Sequence, residues 1–210
     1  MKRWFITGTD TGVGKSVVTA CLAAGATGSV CAVKPIESGV PAGQRYGNDA
    51  LLISGAAGHP PLTKEVFHAP LSPHRAAKLE GRTVNLREVS RWLAAVNADT
   101  VLVEGAGGWR VPWMVELCRA TRGPVIVVAA NRLGVLNHTL LTVEAIQRDG
   151  FTVAAVVLNS GACEVDASHL SNRDDLVDLV DVPILDLGRI DPADAASRAR
   201  RGQELWRGLS

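Results

Sequence analysis

Nine consecutive residues, Gly8-Thr9-Asp10-Thr11-Gly12-Val13-Gly14-Lys15-Ser16, combine a glycine-rich turn with a lysine and a hydroxyl. An apolar run, Trp4-Phe5-Ile6, precedes them, and an apolar-periodic segment, Val17-Val18-Thr19-Ala20-Cys21-Leu22, follows. Strand, turn and helix in that order make an anion cradle. Backbone N–H groups of the turn and helix start face phosphate, the lysine reaches the outer phosphates, and the Ser16 hydroxyl suits Mg²⁺. The usual signature places its first glycine five positions before the second, where this chain has Thr9; Gly8 stands one residue further out. The loop is a modified phosphate loop, and the chain is expected to bind a nucleoside triphosphate through Gly12, Val13, Gly14, Lys15 and Ser16.

Further chemistry-capable groups follow other apolar runs. Lys34 ends Val30–Val33 and enters Pro35-Ile36-Glu37-Ser38-Gly39, a turn that would aim its ammonium over the site. Glu104 closes Val101–Val103 and is followed by Gly105, Ala106, Gly107 and Gly108. An acid at that point of a phosphate-loop protein serves Mg²⁺, directly or through water, and the glycines let backbone approach a ligand. Asp49, ahead of Ala50-Leu51-Leu52, reads by itself as a helix N-cap. His74 reads as a turn residue, and His138 sits at a helix start that could hold an anion. His59, His68 and His169 support no ligand cluster.

These residues need a frame that gathers strand ends. Continuous apolar runs at 4–7, 30–33, 101–103, 125–130, 153–158 and 183–185 mark strands buried on both faces. Helical patterns lie between them: from Asn85, with Glu88 as a capping partner and a stripe of Leu86, Val89, Leu93 and Val96; from about Asn137 to Arg148; and from about Ser171 to Val180. The stretch from Ile36 to Leu86 reads as helices and loops. The fold expected is α/β: a mainly parallel central sheet with helices on both faces, Rossmann-like and three-layered, of phosphate-loop NTPase type, formed by residues 1–210 as one domain. Ligands of such sheets bind at the carboxyl ends of the strands.

Composition narrows the partners. A formal charge of +1 over 210 residues gives no basic field for nucleic acid. No apolar run approaches the roughly 20 residues that span a bilayer, and Met1-Lys2-Arg3 does not open a signal peptide. Cys21, Cys31, Cys118 and Cys163 include no C-x-x-C pair and read as small buried hydrophobes in a reducing compartment. A cytoplasmic protein without membrane or nucleic-acid partners is expected.

The ordered set of segments resembles dethiobiotin synthetase, the ATP-dependent family of biotin biosynthesis. The match runs through Thr7–Thr11 with Val13–Ser16, Lys34-Pro35 with Ser38-Gly39, and Asn48–Leu51. It continues through Pro70 with Ser72–His74, Val103–Trp109, Leu133-Gly134 with Asn137-His138, Leu141-Thr142, and Asn159. The resemblance implies that CO₂ carboxylates an amine of 7,8-diaminononanoate, that ATP phosphorylates the carbamate, and that the second amine closes the ureido ring. It implies that Lys15, Lys34 and Thr11 act at the reacting centre and that Ser16, Asp49 and Glu104 hold Mg²⁺. Gly105, Ala106, Gly107 and Asn159 would join the loop in binding ATP. Ser38 would contact substrate, as would Gly134, Val135, Leu136 and Asn137 from the second subunit of a homodimer, with Val135 and Leu136 read as interface residues.

The chain departs from the family at Gly12, often Glu in relatives, and in the short 109–124 segment with Arg110, Trp113 and Met114. It departs again at Ser160, often Asp, and over 186–196, parts that usually handle the nucleotide base. Two other readings compete. A related amidoligase would need an ammonia-supplying domain or partner. An ATPase switch of the chromosome-partitioning type would carry a second lysine early in the loop, where this chain has Thr9 and Asp10.

Overall fold

The computed structural model describes residues 1–164 and 166–209. Its elements run β1 (Lys2–Gly8), α1 (Lys15–Gly25), β2 (Val30–Val33), β3 (Ile36–Glu37), α2 (Asn48–Ala57), β4 (Glu65–Val66), α3 (Pro73–Leu79) and α4 (Leu86–Ala95). They continue β5 (Thr100–Gly108), α5 (Met114–Thr121), β6 (Val125–Ala130), α6 (Val135–Arg148), β7 (Val153–Asn159), α7 (Asn172–Leu179), β8 (Ile184–Gly188) and α8 (Ala195–Gly208). Six strands form one sheet in the order β2-β5-β1-β6-β7-β8, with every pairing parallel.

Alternate residues of each strand feed opposite faces, so two cores flank the sheet. On one face Phe5, Val33, Val103 and Val127 pack with Leu93 of α4, Leu117 of α5, Ile146 of α6 and Leu176 of α7. On the other, Ile6, Ala32, Leu102 and Ile126 pack with Leu22 of α1, Ile53 of α2 and Leu205 of α8. Continuous apolar strands are the sequence form of this double burial. The cysteines follow suit: Cys21, Cys31 and Cys118 are buried, Cys163 is half-buried, and all four are free thiols.

Three expectations need adjustment. The strand read as 101–103 extends to Gly108, so Glu104 lies inside β5 and its glycines continue the strand. Ile6 pairs with Glu104 but Gly8 with Gly108, and the bulge this creates turns the 105–107 backbone toward the site. The stretch from Ile36 to Leu86 holds α2 and α3 but also a small parallel pair, β3 with β4. Asp49 is not the N-cap of α2; Gly47 is, and Asp49 lies in the first turn. The start of α4 is as expected, with Asn85 accepting from the Arg87 and Glu88 N–H groups and bonding the Glu88 carboxylate through its amide. No helix among the described residues is long and apolar enough to cross a membrane.

Candidate active site

β1 delivers the chain into the loop, and α1 starts at Lys15 directly behind it. Gly14 has φ +89, and an added Cβ there would stand 1.9 Å from Asn159 Nδ2, so both conformation and contact require glycine. Asn159, at the end of β7, donates to the Val13 carbonyl at 3.0 Å and accepts from the Gly161 N–H. It braces the loop from the neighbouring strand. Lys15 is buried and donates to the Asp10 carbonyl at 3.2 Å. Burial, then repulsion by Lys34, lower its pKa to about 8, with Glu104, Asp49 and Asp10 opposing.

Lys34 is 3% exposed and points inward, so it is no solvated strand terminus. Its ammonium donates to Glu104 Oε1 at 2.5 Å, Asp49 Oδ2 at 2.9 Å and the Gly105 carbonyl at 3.0 Å. Those three bonds use all three of its protons. Burial works to lower its pKa, but the Glu104 and Asp49 carboxylates outweigh that and hold it above the usual lysine value. The Ser16 hydroxyl donates to Glu104 Oε1 at 2.8 Å. Asp49 is itself held below the usual carboxylate range: burial raises it, and Lys34, Ser16 and Lys15 more than offset that. Ser16, Lys34, Asp49 and Glu104, which come from four separate parts of the chain, thus form one chain of charge-assisted bonds beside Lys15.

One cavity opens over this cluster and a second adjoins it. The larger, about 720 Å³, is lined by Gly12, Lys15, Ser16, Lys34, Ser38, Asp49, Ala106 and Gly107 among others. The smaller, about 490 Å³, runs past Asp10, His74, Trp109, Arg110 and Thr142. Thr11, Ser72 and Val111 line both, so Thr11 stands where they meet. The Ser38 hydroxyl donates to the Leu71 carbonyl at 2.6 Å. His74 lies in the first turn of α3 and faces the Trp113 ring edge-on at 6.4 Å. Gly134, Leu136, Asn137 and His138 lie at the start of α6, with Gly134, Asn137 and His138 exposed. Val135 is not an interface side chain: it is buried in the chain's own core.

A family model described as an AAA domain matches residues 2–200. The ATP-dependent dethiobiotin synthetase BioD of Anaeromyxobacter sp. (strain K) is 42% identical, with 95% of each chain covered. The protein of that name from Bacillus subtilis (strain 168) is 36% identical, with 88% of this chain and 86% of its own covered. The chain belongs to the dethiobiotin synthetase family. Among solved structures, the septum site-determining protein MinD of Pyrococcus horikoshii superposes with a TM-score of 0.54 at 18% identity, covering 100% of this chain and 94% of its own. A ParA family ATPase from Chlorobium tepidum reaches 0.56 at 15%, covering 99% and 92%. At such identities these neighbours speak to the fold alone; they share the architecture of the competing partitioning-type reading.

For a dethiobiotin synthetase the cluster has a further meaning. Glu104 is fully buried, yet its Oε2 has no hydrogen-bond partner. A buried, unpartnered carboxylate oxygen beside a serine hydroxyl and a second carboxylate is a donor set that fits Mg²⁺, a hard cation that also takes phosphate oxygens. No group of three or more His, Cys, Asp and Glu side chains gathers among the described residues, so phosphates and water would complete the shell. Sequence reasoning missed Glu37, a buried acid whose oxygens accept from backbone N–H groups at the start of α2. Burial raises its pKa, with Lys34 opposing and Asp49 adding to the rise. Glu37 falls within the Lys34-Pro35 segment, but nothing in the spacing links it to a helix start ten residues later.

Proposed function

We propose that this chain makes dethiobiotin from 7,8-diaminononanoate, CO₂ and ATP, using the strand-end cluster for phosphoryl transfer. One amine adds to CO₂ and loses a proton, giving a carbamate. A carbamate oxygen displaces ADP from the γ-phosphoryl group, and the second amine attacks the resulting mixed anhydride. The C–O bond to phosphate breaks, phosphate leaves, and the ureido ring closes. The substrate supplies both nucleophiles, so the protein contributes position and charge.

Lys15 neutralises the outer phosphates from the phosphate loop. Lys34, Ser38 and Thr11 line the same larger cavity, so the Lys34 ammonium would meet the carbamate by exchanging one of its three present acceptors for a carbamate oxygen, and Thr11 would bond at the reacting centre. The smaller cavity beyond Thr11 gives the substrate chain its room. Gly12, Val13 and Gly14 would cradle phosphate, Ala106 and Gly107 line the cavity's far side, Gly105 holds Lys34 through its carbonyl, and Asn159 would support the nucleotide by fixing Val13. Mg²⁺ would sit on Ser16, Asp49 and Glu104, where it neutralises phosphoryl charge. The observation that carries this reading is the bond chain from Ser16 through buried Glu104 and Lys34 out to half-exposed Asp49.

The homodimer belongs to this reading as well. Leu133 is 79% and Leu141 58% exposed on either side of the α6 start, apolar surface suited to a second copy. Gly134, Leu136 and Asn137, with the Val135 backbone, would then reach the partner's substrate carboxylate. Free thiols fit a cytoplasmic setting. Purified protein given diaminononanoate, bicarbonate, Mg²⁺ and ATP should form dethiobiotin and ADP in equal amounts. ADP formation without dethiobiotin would favour an ATPase switch. Sedimentation of a fully active monomer would remove the dimer.

A further inference from the structure

Glu37 belongs neither to the phosphate loop nor to the metal-binding trio, yet it is buried at the end of β3. Its Oε2 accepts from the Gly47 N–H at 3.1 Å, and its Oε1 from the Asp49 N–H at 3.0 Å and the Ala50 N–H at 3.4 Å. Two of these groups, on Asp49 and Ala50, belong to the first turn of α2, where N–H groups have no partner within the helix. The cap residue, Gly47, has no side chain to serve them. Glu37 does so from another element, and its charge also faces the positive end of the helix. The fit is close: a Cβ on Gly47 would stand 2.3 Å from Glu37 Oε1. The β3 backbone is fixed in turn, since Phe67 donates to the Glu37 carbonyl at 2.9 Å.

Asp49 rides on that first turn, and its Oδ2 meets Lys34 at 2.9 Å. Where the helix starts therefore decides where this carboxylate stands. We propose that Glu37 is a positioning residue, which holds the start of α2 so that Asp49 meets the divalent cation and Lys34 in register. Glu37 lines the larger cavity, but both its carboxylate oxygens are taken up by backbone N–H groups at the start of α2, so its role runs through Asp49. The inference rests on the proposed role of Asp49 as a metal ligand.

Mn²⁺ binding to the ADP-saturated protein, read by electron paramagnetic resonance, tests it without turnover. Glu37→Ala should weaken Mn²⁺ binding about tenfold, the usual scale for loss of a group that orients a ligand. Metal-free ADP affinity should stay within about twofold, because Asp49 faces the metal and not the nucleotide. Glu37→Gln, whose amide oxygen still accepts from the Asp49 N–H, should recover to within about threefold of wild type. Gly47→Ala should reproduce the Glu37→Ala loss by pushing the carboxylate away. On an Asp49→Ala background, Glu37→Ala should add less than about twofold, since the two act as one unit.

Wild-type Mn²⁺ affinity in Glu37→Ala would overturn the proposal, and so would a full tenfold loss on the Asp49→Ala background. If Glu37→Ala does not fold, Gly47→Ala decides: a folded variant with wild-type Mn²⁺ affinity would overturn it. Unchanged Mn²⁺ affinity in Asp49→Ala alone would instead break the metal assignment, and the proposal with it. A loss in Asp49→Ala without one in Glu37→Ala breaks only the proposal.

Discussion

The two halves of the sheet end in opposite chemistry. Just past β2 and midway along β5 stand Lys34 and Glu104, 3% and 0% exposed, both charged. Just past β6 and at the end of β7 stand Asn131 and Asn159, 2% and 3% exposed, both neutral. The amide side is satisfied by its own structure: Asn131 bonds Ser160, the His169 carbonyl and Asn172, and Asn159 ties Val13 to Gly161. The charged side is satisfied only in part, with Glu104 Oε2 unpartnered and Lys15 held by a single carbonyl. Buried charge is costly, and a fold keeps it where a ligand completes it. In the proposed reaction, phosphoryl transfer would fall to the β2–β5–β1 half, with the β6–β7 half holding the frame still.

The largest break in that contrast should come from Lys15→Ala. Dethiobiotin formation should fall at least about a thousandfold, the upper range for loss of one transition-state donor. Stability should change by less than about 1 kcal/mol, since among the described residues the Lys15 ammonium bonds one carbonyl. Near-wild-type turnover would remove Lys15 from the site.

Lys34→Ala should also lower turnover, by at least about a hundredfold, with ATP affinity kept within about threefold. Unlike Lys15→Ala, it strips the counterion from buried Glu104, and chemical denaturation without metal should show a loss of about 3–5 kcal/mol. An unchanged midpoint would mean that the Lys34–Glu104 pair is not a structural link. Arg at this position should rescue poorly, because a planar fork cannot replace a compact ammonium among three close acceptors.

On the neutral side, Asn159→Ala should cost about 1–3 kcal/mol by leaving buried backbone groups unpaired. The KM for ATP should rise while kcat changes by less than about threefold, the mark of lost uniform binding. A fall in kcat comparable to that of Lys34→Ala would dissolve the contrast between the halves.

The smallest effect is a proton. The Lys15 pKa is lowered from 10.5 to about 8, so between those values the unfolded chain binds a proton that the native state does not. Stability of the ligand-free protein should therefore rise with pH across that window through this group, and the contribution should be flat below it. Bound phosphate raises the pKa again, so ADP binding near pH 8 should take up about half a proton. Calorimetry in buffers of different ionisation enthalpy reads that uptake, and Lys15→Ala should abolish it. Proton release would contradict the environment described for Lys15.

Much of the charged half was legible because its residues announce themselves. Gly14-Lys15-Ser16 after an apolar run, Lys34 after another and Glu104 after a third fix both the frame and the site, since parallel strands deliver their last residues to one edge. Asp49 came from the family resemblance; alone it read as a cap, because an acid before Ala50-Leu51-Leu52 carries no mark of what it faces. Glu37 stayed hidden because its partners are backbone groups, which leave no trace in residue identity. α8 stayed hidden for another reason. It is a polar helix whose few inward residues include Gly202, which meets α1 at Gly25 with no side chain between. Val135 misled because an apolar residue at a helix start looks the same whether it faces a partner or its own core.

One measurement reaches the central claim directly. In the proposed reaction a carbamate oxygen, and hence an oxygen of CO₂, leaves on the phosphate. Freshly dissolved heavy-oxygen-labelled bicarbonate should be mixed with the protein, diaminononanoate, Mg²⁺ and ATP, and quenched before the label exchanges with water. Each phosphate released should carry one labelled oxygen and be matched by one dethiobiotin. Unlabelled phosphate released without dethiobiotin would mean that water, not a carbamate, takes the phosphoryl group, and the account would be wrong.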